Sequence, residues 1–275
     1  KGTLADYYSK IDRYNNSTKS LSDYYEGMTV GEIWGYVTEG LFRDQADIDS
    51  HASQKLFKSS NKKWYPGDVK FKDLDDSHTI DYGKNTLADH GDKKVIGNSL
   101  PRYIYSVNLS ADWNNFFVSA FFQGVGKQDW YPSAECIFWG QYNRPYNNMP
   151  KWHKGNYWTE DNPNAYLPRY CGYNSSLKET PQTRYLQNVA YIRLKNLQIG
   201  YNLPQTWIHR LAMQSARIYV SAENLWCWSP LYKHTRDLDV TNINGSDRDL
   251  TNGNSGDGNS YPQMKSITLG LSISF

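Results

Sequence analysis

The last ten residues constrain the fold more than any other stretch. Ile267, Leu269, Leu271, Ile273 and Phe275 alternate without a miss with Ser266, Thr268, Gly270, Ser272 and Ser274. Side chains of a strand point to opposite faces in turn, so this segment has one apolar face and one face of small polar groups. Its length matches the roughly 9–11 residues that cross a bilayer as a tilted strand. An edge strand of a soluble sandwich carries the same period, so both readings stand on this segment alone.

The pattern recurs upstream. Tyr103, Tyr105, Val107, Leu109, Ala111 and Trp113 share a face, opposite Arg102, Ser106, Asn108, Ser110 and Asp112. A tight turn at Asn114-Asn115 predicts a hairpin returning through Phe116, Val118, Ala120 and Phe122. From about Val189 to Tyr201, Ile192 and Leu194 have one parity while Leu197, Ile199 and Tyr201 have the other. A bulge near Lys195-Asn196 restores one apolar face and turns Arg193 and Lys195 to the wet side. Pro204 ends that strand, and one or two helical turns are expected within Trp207–Met213. A further strand carries Ala216, Ile218, Val220 and Ala222 against Arg217, Tyr219, Ser221 and Glu223.

Composition separates the classes that such strands allow. Hydrophobic residues make up only 39% of the chain, too few for a large dry core, yet aromatics reach 15%, too many for a disordered one. A sheet with one greasy and one wet face, rimmed by Tyr and Trp, satisfies both. No run approaches the roughly 18 apolar residues of a membrane helix. Thirty basic residues against 28 acidic ones leave no excess that points to nucleic acid. No charged start, apolar stretch and small-residue cleavage site of a signal peptide is found, so the expectation is a mature chain or a part of a longer one. No nucleophile elbow, P-loop, dinucleotide fingerprint or zinc spacing occurs, so no enzyme is expected.

The connections alternate in length. Short ones sit near Asn114 and between Pro204 and Ser215; long polar ones run over residues 43–99, 127–187 and 229–262. Short turns at one end and long loops at the other are the habit of outer-membrane barrels. The stretch 242–260 is low in complexity and is expected to be mobile.

On this background the chain resembles the C-terminal part of SusC-like TonB-dependent outer-membrane transporters. The residues that carry the resemblance are Tyr24-Tyr25-Glu26-Gly27-Met28, Val30-Gly31-Glu32-Ile33-Trp34-Gly35-Tyr36, Glu39-Gly40-Leu41-Phe42 and Pro66-Gly67-Asp68-Val69-Lys70-Phe71-Lys72-Asp73. They continue with Val95-Ile96-Gly97-Asn98-Ser99-Leu100-Pro101, Phe121-Phe122-Gln123-Gly124-Val125-Gly126 and Glu160-Asp161-Asn162-Pro163-Asn164-Ala165-Tyr166. Tyr191-Ile192-Arg193-Leu194-Lys195-Asn196-Leu197, Ile199-Gly200-Tyr201 and Ser221-Ala222-Glu223-Asn224-Leu225 complete the set ahead of the terminal strand.

The resemblance implies an all-β fold. Residues 1–275 form the C-terminal portion, about seven or eight antiparallel strands, of a 22-stranded plugged transmembrane β-barrel with long extracellular loops. The plug and earlier strands are absent from this chain. The implied function is TonB-energised import of oligosaccharides or peptides across the bacterial outer membrane. The implied partners are the remaining barrel and plug, a SusD-like surface lipoprotein, the TonB complex and the lipid bilayer. Phe275 is implied as the assembly signal. Two other readings are carried: a secreted carbohydrate-binding β-sandwich with an aromatic platform, and a small complete barrel acting as porin or adhesin.

Candidate sites lie in the long loops. Trp130, Tyr131, Trp139, Tyr142, Tyr146 and Trp158 are expected to touch the lipoprotein or the substrate, to pack the loop, or to sit at headgroup level. Arg144 among them suits a carboxylate or a sugar hydroxyl, or a salt bridge at the rim. Asp73, Asp75, Ser77 and Asp81 occupy oxygen-ligand positions of a degenerate Ca²⁺ loop, with His78 where a turn glycine belongs. No other cofactor is expected. Cys136 and Cys171 are the pair best placed for one disulfide, with free thiols the equal alternative.

Overall fold

The computed structural model describes residues 16–56, 63–178, 180–209, 212–241, 243 and 262–275. Apart from Ile243, the low-complexity stretch 242–260 lies outside the described residues. The chain divides into two compact units. One comprises residues 1–100, 129–187 and 242–260; the other comprises 101–128, 188–241 and 261–275.

The second unit is one antiparallel sheet. Its strands are β1 (Ile104–Trp113), β2 (Phe116–Val125), β3 (Tyr191–Asn202), β4 (Ser215–Trp228) and β5 (Ser266–Ser274), in the spatial order β5-β4-β3-β2-β1. All five long strands fall where the alternation places them. Seven or eight were expected. The other strands of the described chain are ribbons of two to six residues, because the long loops fold on themselves instead of extending the sheet. Asn114 and Asn115 both have positive φ, 46° and 69°, the geometry of a two-residue turn that matches strand twist. Gln205–Ile208 is a single helical turn after Pro204.

Register makes the apolar face continuous. Across the sheet, Leu269, Val220, Ile199, Val118 and Ala111 form one row. The next row is Leu271, Ile218, Tyr201, Phe116 and Trp113. The register of β3 breaks between Leu194 and Asn196 against both neighbours, leaving Lys195 as the extra residue against β2. That bulge brings Ile192 and Leu194 onto the same face as Leu197 and Ile199. It is the device expected from the parity change.

Aromatic residues close the face at both ends. Trp113, Phe116, Tyr201 and Phe275 stand at the hairpin end, and Tyr105, Trp226 and Trp228 at the other. Ala216 and Trp228 are about 40 Å apart along β4.

The opposite face carries Asn108, Ser110, Ser119, Gln198, Ser221, Thr268 and Ser272. Three rings interrupt it, Phe117, Phe121 and Tyr219, and two of them cover glycines. A Cβ added to Gly270 would lie 2.3 Å from Tyr219 Cζ, and one on Gly200 would lie 2.5 Å from Phe117 Cζ. These glycines are required by the close approach of a ring. Arg217 sits about 6 Å from the centroids of both rings, its cation over their faces.

The first unit is built from short ribbons. Glu32–Tyr36 pairs antiparallel with Lys93–Asn98, and Thr38–Leu41 with Val69–Phe71. Tyr36, Phe42, Val69, Phe71 and Ile80 are buried beneath them. A second cluster, described below, fills the segment 129–187.

Candidate functional site

The aromatic loop 129–187 has a core of its own. Trp130, Tyr131, Trp139 and Tyr142 are buried, together with Phe138, Leu167 and Tyr185. Their rings meet edge to face: Phe138 packs on Trp139 at 5.0 Å and on Trp130 at 6.2 Å, and Trp139 on Tyr185 at 5.8 Å. Their polar tips are satisfied inside. Trp139 Nε1 donates to the Pro132 carbonyl at 3.2 Å, Tyr142 Oη to that of Pro168 at 2.7 Å, and Tyr131 Oη to that of Leu177.

Added chains can only bury these four rings further. Among the roles considered for them, loop packing is the one their burial matches. The reason is compositional. Leu, Ile and Val are scarce in this segment, so Tyr, Trp and Phe provide the apolar volume of the loop.

Three candidates differ. Tyr146 is 72% exposed. Arg144 joins Glu135 at 3.0 Å and donates to the Tyr146 hydroxyl at 3.3 Å, a salt bridge at the rim. Trp158 is half-buried with its ring across Gly67, where a Cβ would come within 2.4 Å of it. Its indole Nε1 is buried with no hydrogen-bond partner. Arg144 and Tyr146 therefore reach solvent, and Trp158 does so in part.

His153 is the titratable centre of the cluster, and its sequence context carries no motif that marks it. It is fully buried between Trp152 at 4.3 Å and Tyr142 at 5.6 Å. Nε2 meets the Phe138 carbonyl at 2.9 Å, which makes it the protonated nitrogen, and Nδ1 has no partner. Burial pushes the imidazole down to about 4, against a weaker upward pull from that carbonyl.

The acidic loop assembles differently from the expected ligand set. Asp73, Asp75 and Asp92 bring one carboxylate oxygen each to within 4.8 Å of one another. Ser77 and Asp81 have local partners instead: the Ser77 hydroxyl donates to Thr79 O at 2.9 Å, and Asp81 Oδ1 accepts from Gly83 N at 2.7 Å. Asp92 was missed because it lies beyond any local loop spacing. It is buried, and it accepts from Leu74 N and Asp81 N at 2.6 and 2.9 Å. Burial raises its carboxyl above the ordinary value, and the charges of Asp75 and Asp73 push the same way against those two hydrogen bonds. Three oxygens are half or fewer of the roughly 6–8 that Ca²⁺ takes.

Cys136 is buried, and Cys171 and Cys227 are half-buried. Cys136 and Cys171 form no disulfide.

No family model matches the chain. Curated relatives do. TonB-dependent receptor P3 of Formosa agariphila is 29% identical over 253 residues, which is 91% of this chain and 22% of that protein. TonB-dependent receptor P26 of the same organism is 28% identical over 190 residues, 67% of this chain and 18% of that protein. Among solved structures, the RagAB peptide transporter matches with a TM-score of 0.56 at 17% identity, covering 93% of this chain and 24% of that one. The chain thus spans a quarter or less of the length of the relatives it matches. Similarity over nine-tenths of its length, on a sheet with two aromatic rims and one apolar face, makes the chain a homologue of one part of the TonB-dependent receptors.

Proposed function

We propose that the chain is the C-terminal wall segment of a SusC-like importer of the bacterial outer membrane, driven by TonB and paired with a SusD-like surface lipoprotein. The observation that carries this reading is the exposed apolar face of the five-stranded sheet. Ile267, Leu269 and Ile273 are 72%, 74% and 43% exposed, where a two-layer sandwich would bury them. An apolar surface of that extent is costly in water and stable against lipid tails. No helix among the described residues is long and apolar enough to cross a membrane, so crossing falls to strands.

β1 and β5 each have one side without a strand neighbour in this sheet. Unpaired backbone groups in hydrocarbon cost several kcal/mol each, so both edges call for further strands of the same barrel. Import requires little chemistry of this segment. The lipid-facing rows hold the wall in the bilayer, and the face of Ser, Thr, Gln and Arg lines a wet lumen.

The cargo is an oligosaccharide or a peptide, and the test distinguishes them. Cells carrying the whole receptor are given labelled oligosaccharides and labelled peptides, with the receptor gene or tonB intact or deleted. Uptake of one class is expected to fall to background in both deletions. Uptake of both classes that is indifferent to either deletion would refute the assignment.

A further inference from the structure

The sheet unit contains a buried ionic group that the wall reading does not use. Arg193 projects from β3 on the face opposite Ile192 and Leu194, paired across to Gln123 and Cys227. Its guanidinium binds Asp239, and the two side chains are only 5% and 6% exposed. Asp239 Oδ1 also accepts from Thr241 N at 3.0 Å and from the Thr241 hydroxyl at 2.7 Å. Asp239 Oδ2 accepts from Gln263 N at 2.9 Å. Gln263 Oε1 in turn accepts from Arg193 Nη1 at 3.1 Å and from Lys195 Nζ at 2.8 Å.

The place of this group in the chain gives it meaning. The sheet unit ends at Thr241 and resumes at residue 261. Asp239 and Gln263 therefore stand at the two roots of the connection between β4 and β5. One carboxylate holds a backbone N–H on each root, and one carboxamide is held by two cations of the wall. Closing a connection of this length costs chain entropy, and burying a lone charge costs several kcal/mol, so neither half of the group is stable without the other. The bulge contributes directly, because the extra residue is Lys195 and its ammonium reaches Gln263.

We propose that Asp239 is a positioning residue: held by Arg193, it ties the two roots of the β4–β5 connection together on the lumen face of the wall. That this face is the lumen rests on the proposed function; the tie itself does not. For import, the tie determines where the connection leaves the wall and where it returns, which a flexible root would leave undefined.

The backbone N–H groups of Thr241 and Gln263 are the direct reporters: both donate to Asp239, and Arg193 touches Gln263 only through its side chain. Hydrogen exchange is followed at both in the whole receptor, purified and folded in detergent. Asp239→Asn is expected to speed both by roughly tenfold or more, since a buried guanidinium is left uncompensated. Arg193→Met is expected to do the same with the carboxylate still present, an effect that mere loss of the acceptor cannot produce. The double variant is expected to exchange no faster than either single one.

Thr241→Val, outside the strands, is expected to give a change of about twofold to fivefold at Gln263, and serves as the measurement if a charge variant fails to assemble. Wild-type exchange in Arg193→Met would overturn the proposal. So would single effects that multiply in the double variant, or wild-type exchange at Gln263 in Thr241→Val. The readout is independent of transport, so failure of the import assignment leaves it standing, and its own failure leaves that assignment untouched.

Discussion

Adjacent substitutions in β5 test the orientation of the wall. Leu269 lies six residues from Phe275, and its partner Val220 lies six residues from Trp226 on β4. Each span is about 20 Å along the strand, which puts Leu269 midway between the two aromatic rims. Arginine on the lipid face there costs about 2–4 kcal/mol, falling to ~0–1 kcal/mol near either rim. That is a roughly 30- to 700-fold loss in the folding equilibrium.

Thr268, one residue away, faces Ser221 on the polar side, with Glu223 in the neighbouring row. Thr268→Arg is therefore expected to shift the equilibrium by less than about 1 kcal/mol. Thr268 is a better control than Ser272, which faces Arg217 and would set two like charges opposite each other. The assay is urea-dependent folding of the whole receptor in phospholipid vesicles, with the folded fraction read from heat-modifiable gel mobility. Equal shifts for Leu269→Arg and Thr268→Arg, or the larger shift for Thr268→Arg, would show that the faces are misassigned.

The remaining expectations follow from the loop core, the glycines and the chain end. His153 is held at about 4 against an ordinary value near 6.5, so the unfolded segment takes up the proton first as pH falls. The stability present above about pH 6.5 is lost between there and pH 4, by up to about 3 kcal/mol. Exchange protection around Phe138 and Tyr142 should decline over that window, and His153→Gln should flatten the profile. Gly270→Val drives a side chain into the Tyr219 ring and should cost about 1–3 kcal/mol in the urea assay. Tyr219→Ala should recover most of that loss, and a neutral Gly270→Val would contradict the close approach. Removing Phe275 should lower the amount of receptor assembled in the outer membrane, and unchanged surface levels would exclude it as an assembly signal.

The sheet was legible in the chain because a strand with different solvents on its two sides must alternate, and alternation is a local property. The terminal strand, the Asn114-Asn115 hairpin and the bulge at Lys195 each follow from neighbours within a few residues. The long loops were not legible in the same way. Their aromatic residues look alike whether they stack on a ligand or on each other, and only the folded segment shows Trp130, Tyr131, Trp139 and Tyr142 turned inward with Arg144 and Tyr146 left outside. Asp92 joins Asp73 and Asp75 from beyond any loop motif. Asp239 meets Arg193 across 46 residues of chain, which no spacing rule encodes.

Sequence by itself determined which side chains share the apolar face and which the polar one, because that choice is made one residue at a time. Tertiary structure alone decided which polar groups find one another, because burial makes a charge seek whatever partner the fold brings near, at any distance along the chain.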